Sequence, residues 1–412
     1  MAVDWQHVRE LVNSHLNQHS PDLHSVNQAI HSKPEPAYQE FHAHDTICDF
    51  LEAHGFAVER KSHGLETSFE ATIGSGGRLV IICAEYDALP SLGHGCGHNL
   101  IATASLGAFL AAAHVLRKLG LGGRLRLLGT PAEEGGGGKA QLIRAGAFSP
   151  PADIAASIMA HPVTRHSIGG DDVVDGVSGV AALDLIASVK FRVEFRGRSA
   201  HAAGEPWNGT NALDAAVSAY NSVGMLRQQM RPDERVHGVF EVGGTVPNVI
   251  PDYTRMNWYV RAPTTDQAEG LQRRVCACMD AAAAATACSN NYIYADTYKH
   301  IISNPSLCAL YTKDMAHFGH DVLPKPTVPL TASTDMGNVS HEVPCFHGAF
   351  AIPTGPDASL HSIEFAAAAG TPEAHACALE SAKGMAMMAL RVIVDEEVAA
   401  GVRRDFEERN VV

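Results

Sequence analysis

Two short stretches of the chain carry residue types that hold divalent metals. Cys96 and His98 stand two apart in a glycine-rich run, and Glu133 and Glu134 are adjacent further along the chain. Thiolate, imidazole and carboxylate groups bind zinc and related ions, and glycine lets the backbone bring such groups close together. On an extended backbone the two glutamates diverge, so one can bind a metal while the other faces a metal-bound water. The pattern predicts a hydrolytic metal site.

Three apolar runs lead to polar residues of this kind. Residues 78–85 predict a buried strand that delivers Asp87, residues 124–129 a strand before the glutamate pair, and residues 154–160 a strand that ends at His161. Helical patterns separate these runs. Alternating strands and helices predict a parallel sheet, and open α/β sheets carry their sites at the carboxyl ends of the strands.

The order of elements changes past residue 184. Residues 185–300 predict the order βαββαβ, which is that of a ferredoxin-like domain. The expected fold is therefore an α/β catalytic domain of residues 1–184 and 301–412, with a central, mostly parallel sheet flanked by helices, interrupted by this inserted second domain. A closing amphipathic helix is expected from Pro372 to about Val398.

The composition of the chain indicates which kinds of binding partner and which compartment to expect. The 412 residues are 46% hydrophobic and 18% charged, with a formal net charge of -14, so contact with phosphate backbones or anionic membranes is disfavoured. Nine cysteines without framework spacing indicate a reducing compartment. Asp4, Arg9 and Glu10 stand where a signal peptide would be apolar. We expect a cytoplasmic protein that acts on a small molecule, with no nucleic-acid or membrane partner.

Eight motifs follow one another along the chain: EYDALP, GHGCGHN, TPAEEGGGGK, AHP, RSAHAA, NVIPD, STDMGNVS and SLHSIEF. From about Glu35 to Phe365 the chain resembles the dinuclear metallo-amidohydrolases of the aminoacylase and carboxypeptidase superfamily. It is most similar to the aminoacylase-like β-alanyl-lysine dipeptidases and is related to hippurate and auxin-amino-acid hydrolases. Asn99 departs from the commoner aspartate at its position, which leaves the support of the neighbouring ligand open.

The resemblance implies roles for individual residues. Glu133 would be the general base, and Asp87 would orient one of the metal ligands without binding the metal itself. The inserted domain would be a lid that dimerises, with His201 reaching the partner's active site and Asn248 and Arg261 facing substrate. Two divalent ions per subunit are implied, zinc first, with manganese or cobalt as alternatives. The implied metal ligands are Cys96, His98, Glu134, His161 and His361.

Several residues near these motifs have a structural interpretation beside the functional one. His94, His166 and His347 match no ligand position, and we expect them to be structural. Asp335 can cap a turn, since Ser-Thr-Asp sequences are common there. Arg261 can pair with an acidic neighbour within its own sheet.

The predicted function is metal-dependent hydrolysis of an amide bond in a dipeptide or an N-acyl amino acid, by a metal-activated water with a glutamate base. Two alternatives stay open. One is an enzyme of the same fold that forms amides or catalyses another condensation. The other is a non-catalytic dimeric metal-binding protein, which would have no need of Glu133 beside its ligands.

Overall fold

The computed structural model describes residues 3–169, 176–327 and 330–409. The chain forms two compact units. The first comprises Met1–Asp184, Ile301–Thr331 and Asp335–Val412, and the second comprises Leu185–His300 and Ala332–Thr334. The short segment 332–334 lies with the second unit, where the Ile186 amide donates to the Ala332 carbonyl at 3.0 Å. The domain bounds 1–184, 185–300 and 301–412 stay a prediction.

The strands are named in chain order. They are β1 (Glu59–Arg60), β2 (Phe69–Ser75), β3 (Leu79–Ala84), β4 (Gly123–Gly129), β5 (Ile154–Thr164), β6 (Val177–Val180), β7 (Ala187–Arg196), β8 (Arg235–Val242), β9 (Tyr253–Ala262), β10 (Ser289–Tyr294), β11 (Asp321–Leu323) and β12 (Cys345–Ile352).

The α-helices follow the same convention. They are α1 (Trp5–Ser32), α2 (Phe41–Ala53), α3 (His98–Leu119), α4 (Gly138–Arg144), α5 (His166–Gly169), α6 (Ala212–Leu226), α7 (Thr265–Thr286), α8 (Pro305–His317), α9 (Met336–Glu342), α10 (Ile363–Ala369), α11 (Pro372–Val394) and α12 (Glu396–Glu408).

One mixed sheet organises the first unit. Its order is β1-β2-β4-β3-β5-β12-β6-β11 among the described residues, and its central strands β4, β3, β5 and β12 are parallel. Every residue of β3 is buried, as expected for a strand covered on both faces. Helices α3 and α11 pack against each other and against β5. These elements confirm the predicted α/β class with a mostly parallel sheet flanked by helices.

The second unit has the order β7-α6-β8-β9-α7-β10. Its strands form one antiparallel sheet in the order β10-β7-β9-β8, the arrangement of a ferredoxin-like domain. Alternate residues of β9 are buried, and Trp258 near its centre is fully buried in the same core as the alanines of α6. The predicted insertion of a βαββαβ domain is confirmed.

Two predicted boundaries were wrong. Strand β5 continues to Thr164, because β12 pairs with it in parallel as far as Ile352, so His161 lies inside the strand and not past its end. The closing helix stops at Val394. Asp395 there adopts an extended backbone, and its side chain accepts from two amides of α12, which starts a separate helix.

Candidate metal centre

The first ligand candidates sit where a loop enters the central helix. His98 is the first residue of α3, and Gly97 before it has a φ of 76°. A Cβ added to Gly97 would lie 2.6 Å from Cγ of Pro162, so glycine is required both by the backbone and by the close approach. This tight turn holds Cys96 and His98 near the strand that carries His161.

Cys96 and His161 are in direct contact. The Cys96 Sγ lies 3.4 Å from Nε2 of His161, whose Nδ1 donates to the Pro162 carbonyl at 2.7 Å. With its proton on Nδ1, the His161 ring turns an unprotonated Nε2 towards Cys96. Burial, and next the neighbouring His98, lower the pKa of His161 to about 3. His161 is therefore neutral at pH 7, as a metal ligand must be.

Asp87 supports two of the candidate ligands. One oxygen lies 2.9 Å from Nδ1 of His98, and the other accepts from the Glu134 amide at 2.8 Å. Burial opposes ionisation of Asp87, but His98, the Glu134 amide and Lys139 together outweigh burial and lower the pKa of the carboxyl. A carboxylate bonded to Nδ1 of a histidine fixes the tautomer of the ring and leaves Nε2 available for a metal. Metal-binding histidines commonly have such a partner.

His361 completes the cluster through Glu134. Its Nε2 lies 3.5 Å from Oε1 of Glu134, which is also 3.8 Å from Nε2 of His98. His361 has a φ of 65°, an uncommon value for a residue other than glycine, and its amide donates to the Gly95 carbonyl at 2.8 Å. That bond ties His361 to the loop that carries Cys96.

The cluster has the donors and the unmet polar atoms of a metal centre. His98 Nε2, Glu134 Oε1 and Glu85 Oε2 are buried and have no hydrogen-bond partner among the described residues. Leaving such atoms uncompensated is costly, and a cation among them removes that cost. Three overlapping groups hold one donor atom per residue within 4.8 Å of each other: Cys96, His98 and His161; Cys96, Glu134 and His361; and His98, Glu133 and Glu134. The donor set fits divalent metal ions.

Glu133 is placed by a strained residue before it. Ala132 has a φ of 60°, and its amide donates at 2.8 Å to Oε1 of the buried Glu40. Glu133 itself is only 7% exposed. Burial, followed by the charges of Glu85 and Glu134, raises its pKa well above the ordinary value. A carboxylate that binds a proton this readily suits a general base.

A buried ion network lies next to the cluster, and no sequence pattern predicted it. The Lys139 ammonium donates to Glu85 and to Asp335, the latter at 2.7 Å, and the Lys139 amide donates to Asp335 at 2.8 Å. All three side chains are buried. The turn-cap interpretation of Asp335 was wrong, since its side chain makes no cap bond to α9. One feature of the sequence could have indicated this network: Glu85 is a charged residue at the end of an otherwise apolar run.

Asn99 shows why this chain has an amide next to its histidine. The Asn99 Nδ2 donates to Asn27 Oδ1 at 2.6 Å and to the Ala369 carbonyl at 2.8 Å. A carboxylate has no proton to donate to either acceptor at neutral pH. The asparagine therefore joins α3 to α1 and to the end of α10.

Three other histidines near the motifs have different surroundings. His94 is buried with Nε2 3.2 Å from the Ile30 carbonyl, and His166 Nε2 lies 3.2 Å from the Thr164 hydroxyl. His347 on β12 is buried, and its ring centre is 6.2 Å from that of His161. Neither of its ring nitrogens has a hydrogen-bond partner among the described residues.

The remaining predicted residues belong to the second unit and not to the cluster. His201 is exposed, and its Nδ1 accepts from the amides of Ala203 and Gly204 at 3.2 and 2.9 Å. The neutral His201 ring therefore carries its proton on Nε2. The Asn248 carbonyl accepts from the Ala202 amide at 3.0 Å, and Arg261 on β9 donates to the Ser333 hydroxyl at 2.9 Å.

Comparison with known proteins places the chain in a family. Residues 81–369 match the peptidase family M20/M25/M40. An Xaa-Arg dipeptidase of Mus musculus is 37% identical over 98% of this chain and 94% of its own length. One of the subunits of a p-aminobenzoyl-glutamate hydrolase from Escherichia coli is 26% identical over 92% of this chain and 90% of its own length.

Solved structures share the fold. An aminobenzoyl-glutamate utilization protein from Klebsiella pneumoniae superposes with a TM-score of 0.71 at 19% identity, over 93% of this chain and 99% of its own. A dinuclear metal-binding M20 peptidase from Bacillus subtilis gives a TM-score of 0.66 at 18% identity, over 92% and 99%. The chain belongs to the peptidase family M20/M25/M40 and is a metal-dependent hydrolase of amide C–N bonds.

Proposed function

We propose that this enzyme is a dipeptidase that cleaves dipeptides with a basic carboxyl-terminal residue. The observation that carries the catalytic part is the convergence of Cys96, His98, Glu134, His161 and His361 around buried atoms without hydrogen-bond partners among the described residues. The substrate class is supported by the Xaa-Arg dipeptidases of mouse and human, each 37% identical to this chain over nearly its full length.

In this proposal the five ligands hold two divalent ions. The mixed thiolate, imidazole and carboxylate set favours zinc, and the carboxylates also admit manganese. When bound, the ions would lower the pKa of a coordinated water to about 7, which makes hydroxide roughly 12 kcal/mol easier to form, and would stabilise negative charge on the scissile carbonyl oxygen.

Glu133 moves the proton. Its buried carboxylate accepts a proton from the attacking water and delivers it to the leaving amine, since its raised pKa makes it a good acceptor and its neighbour Glu134 keeps the ligand role. Asp87 keeps the imidazole of His98 in one tautomer during this step. Lys139, between Glu85 and Asp335, offsets the negative charge that these carboxylates bring to the site.

His201, Asn248 and Arg261 have the substrate roles in this proposal. The proton on His201 Nε2 makes this atom a donor for the carbonyl oxygen as it gains charge. Asn248 offers an exposed amide, and Arg261 a guanidinium suited to a carboxylate. His201 would act on the active site of the partner in a homodimer.

The homodimer would form through the second unit. Its sheet ends at β8, an edge strand with an unpaired side among the described residues, which is a ready surface for a second copy. Val239 and Phe240 on β8 are 61% and 41% exposed, and Tyr220 on α6 is 40% exposed beside Phe240. This apolar edge supports dimerisation through β8 and α6.

A substrate panel tests the proposed function. Purified enzyme, with zinc or manganese added, is mixed with Xaa-Arg, Xaa-Lys and neutral dipeptides, N-acyl amino acids and p-aminobenzoyl-glutamate, and product amines are measured by mass spectrometry. We expect fastest release from the dipeptides that end in arginine or lysine, and release slowed by at least about 10²-fold in the Glu133→Gln variant. Preference for N-acyl amino acids would overturn the substrate class. Net synthesis of dipeptides from amino acids would support the condensation alternative.

A further inference from the structure

A second group of imidazoles lies in the first unit, formed by residues that the metal centre does not use. His15 and His19 are on α1, His54 follows the last residue of α2, and His114 is on α3. The rings of His15 and His114 stack with centres 4.2 Å apart, and those of His15 and His19 are 4.5 Å apart. Together they line a cavity of about 450 Å³. Neither the proposed reaction nor the fold accounts for so many imidazoles in one place.

Two of these histidines converge on one carboxylate. The Asp22 Oδ2 is 3.5 Å from Nδ1 of His19 and 3.9 Å from Nε2 of His54. One donor atom from each of the three residues lies within 4.8 Å of the other two. A tetrahedral ion with bonds of about 2.1 Å places its ligands about 3.4 Å apart. Because Asp22 is 57% exposed, its side chain is free to make the small movement that this requires.

The hydrogen bonds of these residues favour a cation between them. The His54 Nδ1 donates to the Phe50 carbonyl at 2.8 Å, so in the neutral ring Nε2 has a lone pair and faces the Asp22 carboxylate. Two such acceptors repel each other unless a cation or a proton lies between them. A backbone carbonyl that holds the far nitrogen is the usual support of a metal-binding histidine. The His19 Nδ1 is buried without a hydrogen-bond partner among the described residues.

We propose that His19, Asp22 and His54 form a second divalent-metal site that joins α1 to the end of α2. Two imidazoles and one carboxylate suit Zn²⁺, Cu²⁺ or Ni²⁺, and water completes the coordination. Arg117 and Lys118 line the same cavity and oppose a cation. The site is therefore weaker than the centre built from Cys96 and Glu134.

The chain supplies a matched control on the same helix. His7 and Glu10 on α1 also stand three residues apart, with His7 Nδ1 3.9 Å from Glu10 Oε2, and neither belongs to any of the potential metal-binding groups among the described residues. The pair His7 and Glu10 and the pair His19 and Asp22 each combine a histidine with a carboxylate three residues later on the same helix. They differ in the third ligand, which His54 provides to the proposed site.

Equilibrium dialysis of the full chain against Zn²⁺ tests the proposal. Bound zinc per chain is measured over a range of free zinc for the wild type, His19→Ala, Asp22→Asn, His54→Ala and the control His7→Ala. We expect the control to bind as the wild type does. In each of the other three variants, the affinity of the weaker zinc-binding event should fall by at least about tenfold. Loss of a metal ligand has a larger effect than loss of the group that supports a ligand from outside.

A Cys96→Ser arm separates this site from the metal centre. That variant should change the tighter binding and keep the weaker event, so that the two sites are read independently. Asp22→Asn keeps the size of an exposed side chain and decides the matter if circular dichroism shows that a histidine variant is misfolded. Equal zinc binding by the wild type, His7→Ala and Asp22→Asn at every free concentration overturns the proposal.

Discussion

The two units hold their polar residues in opposite ways. In the first, Asp87, Glu133 and His98 are buried, and each is held or charged by several neighbours. In the second, His201 and Asn248 are exposed, and local backbone contacts hold them. Burial shifts pKa values and strengthens electrostatic interactions, which metal and proton chemistry require. Exposed donors in loops beside a sheet suit the recognition of a substrate. Substitutions in each unit can test this difference.

The largest effect is expected from the buried base. Glu133→Gln removes the proton acceptor and keeps the shape, so turnover should fall by about 10²- to 10⁴-fold while metal content and fold are unchanged. Steady-state kinetics with elemental analysis measures this. The exposed Glu364→Gln, near His361 in sequence, is the matched control and should be active. Near-normal turnover of the Glu133 variant would refute its role.

The exposed side is tested by His201. Loss of an oxyanion donor costs roughly 2.7 to 4 kcal/mol, so His201→Ala should lower turnover about 10²- to 10³-fold with no change in metal content. Mixing the weakly active His201→Ala and Glu133→Gln subunits, carrying different tags, should restore activity, since each hybrid dimer has one intact site. Purified hybrids without activity would show that His201 does not work across a dimer.

Substitution of Cys96 tests whether this residue is a metal ligand or only part of the core. Serine offers a much weaker donor than a thiolate, so Cys96→Ser should reduce metal affinity by at least about tenfold. Competition with a chelating dye measures the affinity. Cys83, which is buried on β3, is the matched control, and Cys83→Ser should retain its metal. Unchanged affinity in the Cys96 variant would remove it from the ligand set.

Acid should weaken the first unit through its buried imidazoles. Burial, and next His24, lower the pKa of His375 on α11 from 6.5 to about 4. Between these values the unfolded chain binds a proton that the folded chain does not, so the free energy of unfolding falls as pH drops from 6.5 to 4. His375→Gln should make this dependence shallower in urea titrations. An equally steep dependence in the His375→Gln variant would contradict this assignment.

Sequence patterns revealed the parts of the molecule that depend on local spacing. The apolar runs predicted β3 and β4, and the change to βαββαβ order predicted the inserted domain. The pairing of Lys139 with Asp335 joins residues 196 positions apart, and no periodicity reports such a contact. The extension of β5 past His161 likewise depends on β12, a strand that only the assembled sheet supplies.

The ends of helices were also difficult to predict from the sequence. Asp395 ends one helix and caps the next, a choice that turns on a single side chain. Pro21 lies inside α1, where a proline in the sequence favours a break, yet the helix runs from Trp5 to Ser32 and packs against α3. His347 gave no signal in the sequence, since it matches no ligand motif and reaches His161 only across paired strands.

The unmet buried atoms of His98, Glu134 and Glu85 also bear on how much of this protein a cell contains. A chain without metal keeps the cost of these atoms, and ligands that bind only the folded state raise stability by mass action. A difference of about 1–2 kcal/mol in stability is enough to change the steady-state amount of a protein several-fold through degradation. We therefore expect the lifetime of the protein to follow metal supply, so that starvation for metal lowers its abundance as well as its activity.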